Sequence, residues 1–241
     1  MIRTFRNPLT ALAFTTALSP LANAAVISEE DGKTISLNIE AMAAAMSLDE
    51  NYTGTPGSKT WQEAYFKADL HGSSLMQNGS TVYGDIGVIA LGTRGDGDGL
   101  GLTTGDEGEI DIENAFIGLQ SANNLIDISV GRQTFMLGDG FLVAGDAISP
   151  GEGFDAFSNG SLDRGGAYYL AGRKSFDNTA ILKIDPEDPM RGDLFWLKSD
   201  NQYQQNAELT GVNLEYVDEA KGTLGLTYMK ATDVDVGAGL A

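Results

Sequence analysis

Apolar and polar residues alternate one for one along much of this chain. From Lys33 to Met46 (KTISLNIEAMAAAM), Ile35, Leu37, Ile39, Ala41, Ala43 and Ala45 share one side of an extended backbone, while Ser36, Asn38 and Glu40 take the other. The Ala-rich run from Glu40 to Met46 has helix propensity, a weak prior against the alternation that precedes it. Trp61 to Gly72 repeats the pattern, with Ala64, Phe66, Ala68 and Leu70 opposite Glu63, Tyr65, Lys67, Asp69 and His71. That polar row is too charged to pack on a second sheet and needs water. Thr81 to Leu91 places Val82, Ile86, Val88 and Ala90 against Tyr83 and Asp85. Ile110 to Leu119, a turn at Ser121 to Asn124 (SANN) and Leu125 to Gln133 read as a hairpin.

Gly165 to Lys174, Thr179 to Asp185, Glu208 to Val217 and Thr223 to Ala231 are further strand candidates, which makes nine. Asp193 to Ser199 (DLFWLKS) is a tenth candidate that would invert the side of everything after it. The connections alternate long and short. Ser47 to Thr60, Gly92 to Gly108, Thr134 to Arg164 and Pro186 to Ala207 are long; Ser73 to Ser80, Ser121 to Asn124, Ser175 to Asn178 and Asp218 to Gly222 are short. Long loops on one side and tight turns on the other are what an up-and-down transmembrane barrel shows, and a soluble sandwich has no reason to alternate. The pattern therefore predicts an all-β, antiparallel up-and-down transmembrane β-barrel with a polar lumen.

The N-terminus bears on location. Arg3 and Arg6 precede a short apolar run from Leu9 to Leu18, and Ala22-Asn23-Ala24 forms an A-x-A cleavage site before Ala25. Residues 1–24 read as a secretory signal peptide and 25–241 as the barrel domain. The apolar run is too short for a membrane helix. Nothing later is apolar enough to be one. Hydrophobic residues at 42% and charged residues at 20% argue against disorder. Fifteen Lys+Arg against 34 Asp+Glu, a net charge of -19, argue against a nucleic-acid partner. Cysteine is absent, which removes disulfides and thiolate metal sites.

ENAFIGLQ (113–120), a short turn, DISVGRQ (127–133) and a long loop rich in Gly, Asp and Phe resemble the fourth and fifth strands of bacterial outer-membrane porins. The GRQTFMLGDGF version (131–141) is also similar to the alginate-export type of substrate-specific barrel. The resemblance is one of pattern and runs over most of the chain. It implies an outer-membrane channel for small hydrophilic solutes or ions, contact with outer-membrane lipid, and a loop at 134–164 folded into the pore. It leaves homotrimer and monomer both open. Such porins carry an arginine on the inner wall at the position of Arg132, facing the inserted loop. Asp139, Asp146, Glu152 and Asp155 would form the acidic side of a constriction, with Arg164 and Arg173 opposite. Strict alternation instead puts Arg132 on the face of Ile126, Ile128 and Val130, and only a bulge at Gly131 would turn it inward. Glu40, Glu63, Tyr65, Lys67, Asp69, Tyr83, Asp85 and Asp127 are the expected lumen-lining residues. Nine strands are an odd count for a bacterial barrel. Barrels of this family also end on a strand with a terminal aromatic residue, unlike Leu240-Ala241, so the expected barrel is incomplete.

Other chemistries have less support. RGDGDGLGLTTGDEGE (94–109) opens like a calcium loop through Asp96 and Asp98 but lacks the closing glutamate and flanking helices of an EF-hand. A secreted, soluble all-β binding module, calcium-assisted through those two residues, is the alternative reading. His71 is the only histidine, and Ser73 and Ser74 beside it belong to a turn rather than a nucleophile motif, so no enzyme is expected. No cofactor is implied.

Overall fold

In the computed structural model, which describes residues 21–50, 56–153, 162–185, 189–218 and 220–235, nearly all regular structure belongs to one antiparallel sheet. Ten strands follow in chain order: β1 (Leu21–Glu30), β2 (Lys33–Glu50), β3 (Pro56–Leu75), β4 (Thr81–Gly95), β5 (Asp106–Gln120), β6 (Ile126–Gln133), β7 (Phe176–Ile184), β8 (Met190–Lys198), β9 (Glu208–Asp218) and β10 (Gly222–Asp233). Each pairs with its neighbours in sequence, the up-and-down order that the alternation predicts. The sheet is not closed on itself; β1 and β10 are its two edges.

Three strand assignments differ from expectation. Gly165 to Lys174 is not a strand, because Gly165, Gly166, Ala167 and Ala171 have φ of 86°, 75°, 54° and 46°, in the left-handed region that an extended chain cannot use. Asp193 to Ser199 is a strand, the core of β8. The two changes cancel, so β9 and β10 run as expected and β7 runs the other way. The third difference is β1, which turns through Asp31 and Gly32, both with positive φ, and pairs from Leu21↔Ala41 to Glu30↔Lys33. A tight two-residue turn of this hand matches the twist of the strands it joins. The expected cleavage point before Ala25 falls inside β1, and residues 1–20 lie outside the described residues, as do 236–241 with the chain terminus.

The short connections 31–32, 76–80, 121–125, 185–189 and 219–221 fall at one end of the sheet. The opposite end carries 51–55, 96–105, 134–175 and 199–207. β2 and β3 extend further than their alternation suggests, which shrinks the first of these from the expected long loop. The largest connection is longer than 134–164, because it absorbs the segment expected to be a strand.

The two faces of the sheet differ in chemistry. One carries Phe66, Leu70, Ile86, Val88, Ile110, Ile112, Ile117, Leu119, Ile128, Val130, Leu194, Leu214 and Leu224, all exposed; Ile110 is 78% accessible. The other carries Glu63, Lys67, Thr93, Glu107, Glu113, Ser129, Gln133, Thr179, Asn213 and Glu215, all buried. This inverts the usual partition of a water-soluble protein. In β5 the apolar positions change phase, from Ile110 and Ile112 to Ala115, Ile117 and Leu119. The cause is a bulge: Gly87 pairs with Asn114 and Val88 with Ile112, leaving Glu113 as the extra residue.

What buries the polar face is the 134–175 connection. Phe135, Leu137 and Val143 from its first limb pack with Phe176, Ile181, Phe195 and Leu197, with the Phe135 and Phe195 rings 4.8 Å apart. Ala167 and Leu170 from its last limb pack on Tyr65, Ile89 and Leu91. Glycines on this face make room for long neighbours. A Cβ at Gly87 would collide with the Asp69 carboxylate, and one at Gly118 with the Tyr83 ring.

Candidate functional site

Burying a row of carboxylates is costly unless each is hydrogen-bonded or paired. Here the loop supplies the donors from its own backbone. Glu63, 1% exposed, accepts the N–H groups of Tyr169 (2.9 Å) and Leu170 (3.2 Å) and the Trp61 indole N–H (3.2 Å). Glu113 accepts Lys174 N–H at 2.8 Å, Glu107 accepts Glu152 N–H at 2.8 Å, and the Thr93 hydroxyl accepts Ala167 N–H at 2.8 Å. The same left-handed turns that forbid a strand at 165–171 present the Ala167, Tyr169 and Leu170 amides to the wall. A strand would have spent them on a ladder.

Near the long-loop end of the wall, three arginines converge on one carboxylate. Asp200, in the β8–β9 connection, lies 2.7 Å from Arg132 Nη2, 3.2 Å from Arg164 Nη2 and 3.7 Å from Arg173 Nη2. Arg132 also donates to Asp177 (2.9 Å) and to the Ile112 carbonyl (2.7 Å), and Arg173 pairs with Glu109 at 3.3 Å and with Asp111. Arg164 pairs with Asp146 at 3.3 Å. Asp146 is fully buried and also accepts Ser199 Oγ (2.8 Å) and Asn201 Nδ2 (3.4 Å). Burial alone would raise the Asp200 carboxyl, but the guanidiniums of Arg164, Arg132 and Arg173 hold it below the usual carboxylate range.

The predicted site residues divide in their placement. Arg132, Asp146, Arg164 and Arg173 come together in this network. Arg132 gets there although it pairs with Ala115 of the open face. Gly131 has φ of 122°, the β6–β7 ladder shifts register between Gly131 and Gln133, and the guanidinium ends 12% exposed among acids. The expected division into an acidic loop and opposing arginines is not what forms. Arg164 and Arg173 belong to the loop itself, and Arg173 faces acids of the wall. Asp139 lies apart, at the loop tip, where Leu137, Phe141 and Leu142 with Arg191, Asn213 and Glu215 line a cleft of about 570 Å³. Glu152 keeps its side chain exposed, and Asp155 lies outside the described residues. Glu40, Glu63, Tyr65, Lys67, Asp69, Tyr83, Asp85 and Asp127 all sit on the loop-covered face.

Several members were not found from the sequence. Asp200 and Asn201 fall in a stretch that reads as featureless loop. Glu107, Glu109, Asp111 and Glu113 form an acid at every second residue, a signal that was available in the alternation. The calcium reading gains nothing from the geometry. Asp98 takes Leu100 N–H (2.6 Å), Gly101 N–H (2.8 Å) and Thr103 Oγ1 (2.8 Å) and closes a turn, while Asp96 takes Thr60 N–H (2.9 Å) from β3, so both carboxylates are engaged by protein donors. Among the described residues no group of three His, Cys, Asp or Glu could hold a metal ion. The chain matches no protein-family model, and comparison with curated proteins gives no match.

Proposed function

We propose that this sheet is part of the wall of an outer-membrane porin, with its apolar face in lipid, its polar face toward a water-filled lumen, and the 134–175 loop narrowing the passage. One observation carries the reading: the large aliphatic side chains of one face stand exposed, while the other face buries a row of carboxylates, amides and hydroxyls beneath the loop, beside two apolar clusters that anchor it. Water gives no reason for that partition, and a bilayer does, because lipid accepts the apolar face and the strands satisfy their own backbone hydrogen bonds. The free edges of β1 and β10 are completed by further strands, since an unpaired edge is not tolerated in hydrocarbon. The solutes are small and hydrophilic and cross passively.

A soluble binding module would need a partner layer over the whole apolar face, and among the described residues the chain supplies none there. Fractionation tests the choice. The exported protein should sediment with outer membranes, resist alkaline extraction and require detergent to dissolve. Recovery as a soluble monomer without detergent would overturn the porin reading.

A further inference from the structure

Extending the porin reading, on which only its place beside the passage rests, we infer that the cleft under the loop tip is a subsite for zwitterionic α-amino acids with apolar side chains. The tip is a braced hairpin. Leu137 and Val143 sit in the apolar cluster that anchors the loop, Leu137 N–H donates to the Val143 carbonyl at 2.9 Å, and Met136 pairs with Ala144. Gly138 and Gly140, with φ of 57° and 85°, make a reversal that residues with a β-carbon resist. Asp139 Oδ1 then accepts Phe141 N–H at 3.1 Å, and the Phe141 ring lines the cleft 90% exposed, beside Leu142 at 58%. An apolar lip that water does not satisfy suits a ligand with an apolar group.

The opposite wall is polar and held in place by its own bonds. Thr227 Oγ1 donates to Asn213 Oδ1 (2.8 Å), Asn213 Nδ2 to Glu215 Oε1 (3.1 Å), and Arg191 meets Glu215 Oε2 through Nε and Nη2, both at 2.7 Å. Asn213 and Glu215 are buried, whereas the Arg191 side chain is 47% exposed. Glycines leave the space between tip and wall: Gly225 of β10 stands opposite Glu215 in the ladder, and a Cβ at Gly138 would come within 3.3 Å of Glu215 Oε1. The two rims keep unspent groups of opposite charge. Among the described residues Arg191 Nη1 and Asp139 Oδ2 have no partner, and both side chains are open to solvent. A guanidinium edge takes a carboxylate, and a carboxylate takes an ammonium. A ligand that bears both on one carbon, with an apolar side chain, finds Arg191, Asp139 and the Phe141–Leu142 lip on a single cleft. Its volume of about 570 Å³ falls within the range of small-molecule sites, roughly 300–1,000 Å³. With two acids to one base the cleft disfavours a bare anion, and an amine without a carboxylate leaves Arg191 unused.

The test is equilibrium dialysis of radiolabelled L-phenylalanine against the full-length protein in detergent micelles at about pH 6, where both charges of the amino acid are present. Empty micelles serve as the blank, and glycerol swelling of liposomes holding the same protein reports the pore. Binding should saturate at millimolar concentration. Unlabelled L-phenylalanine should compete about 10-fold better than N-acetyl-L-phenylalanine, which lacks the ammonium, and L-phenylalaninamide, which lacks the carboxylate, the scale of one lost charge-assisted hydrogen bond. Glycine, which lacks the ring, should compete as poorly. Asp139→Asn and Phe141→Ala, both at exposed tip positions, should each weaken binding about 10-fold. Asp139→Asn should also erase the advantage of phenylalanine over its N-acetyl form, which a merely structural role would not do. If either variant fails to fold, the other decides. Absence of saturable binding, or equal competition by the N-acetyl form, overturns the inference, and glycerol entry in the same liposomes then leaves the pore standing. Binding without glycerol entry keeps the cleft and removes the pore reading.

Discussion

The two faces of this sheet are made by the same strands from alternate residues, yet they are held in place by different physics. The open face is generic. Ile86, Val88, Ile112, Ile117 and Ile128 differ little in what they ask of their surroundings, and any apolar medium satisfies them in any arrangement. The covered face is specific, because each buried acid must meet a named donor: Glu63 the amides of Tyr169 and Leu170, Asp146 the Ser199 hydroxyl and Arg164, Asp200 three guanidiniums. One face therefore tolerates exchange of aliphatic residues, while the other does not tolerate loss of a single partner.

The sharpest break of that comparison is Arg164→Ala. It leaves Asp146 buried without its cation, which costs about 3–5 kcal/mol when a buried pair loses one member. The 134–175 loop should detach and become sensitive to limited proteolysis while the strands stay protected. Smaller in effect is Ile128→Arg on the open face. If this face meets lipid as proposed, an arginine there costs up to roughly 2–4 kcal/mol, less toward the membrane surface, read as a lowered urea midpoint in phospholipid vesicles; Ile128→Leu should be silent. No loss for Ile128→Arg would mean that water, not lipid, meets this face.

The smallest effect is acid sensitivity of the arginine cluster. Asp200 is held below the usual carboxylate range when folded, so its contribution is complete above the unfolded value near pH 4 and is lost as pH falls through the lower folded value. Below about pH 4 the β8–β9 connection should loosen from Arg132 and Arg164, seen as faster amide exchange at 199–207. Asp200→Asn should flatten that part of the profile.

How much of this was legible beforehand depends on the range of the interaction. Alternation is written in neighbouring residues. Strands at Lys33 to Met46, Trp61 to Gly72 and Thr81 to Leu91 and the side taken by Glu63, Lys67 and Asp69 follow from it, as does the up-and-down order with its long connections at one end. Even the bulge in β5 shows as a slip of phase between Ile112 and Ala115. GGAYYLAGRK at 165–174 reads as a strand candidate, but its backbone is not extended. Glycine and alanine there accept left-handed φ once the Glu63 and Thr93 side chains, about seventy to a hundred positions earlier in the chain, take up the amides.

Sequence by itself therefore determined the alternating strands from β2 to β6, their facing and the acidity of the chain, since each is a property of residues next to one another. Tertiary structure alone decided that Arg132 turns in at Gly131, that Arg164 and Arg173 meet Asp200 of the β8–β9 connection, and that Asp139 stands apart at the loop tip. Those outcomes depend on which buried charge finds which partner across the sheet. The energy of such pairing depends on distance and burial, and neither is encoded in local periodicity.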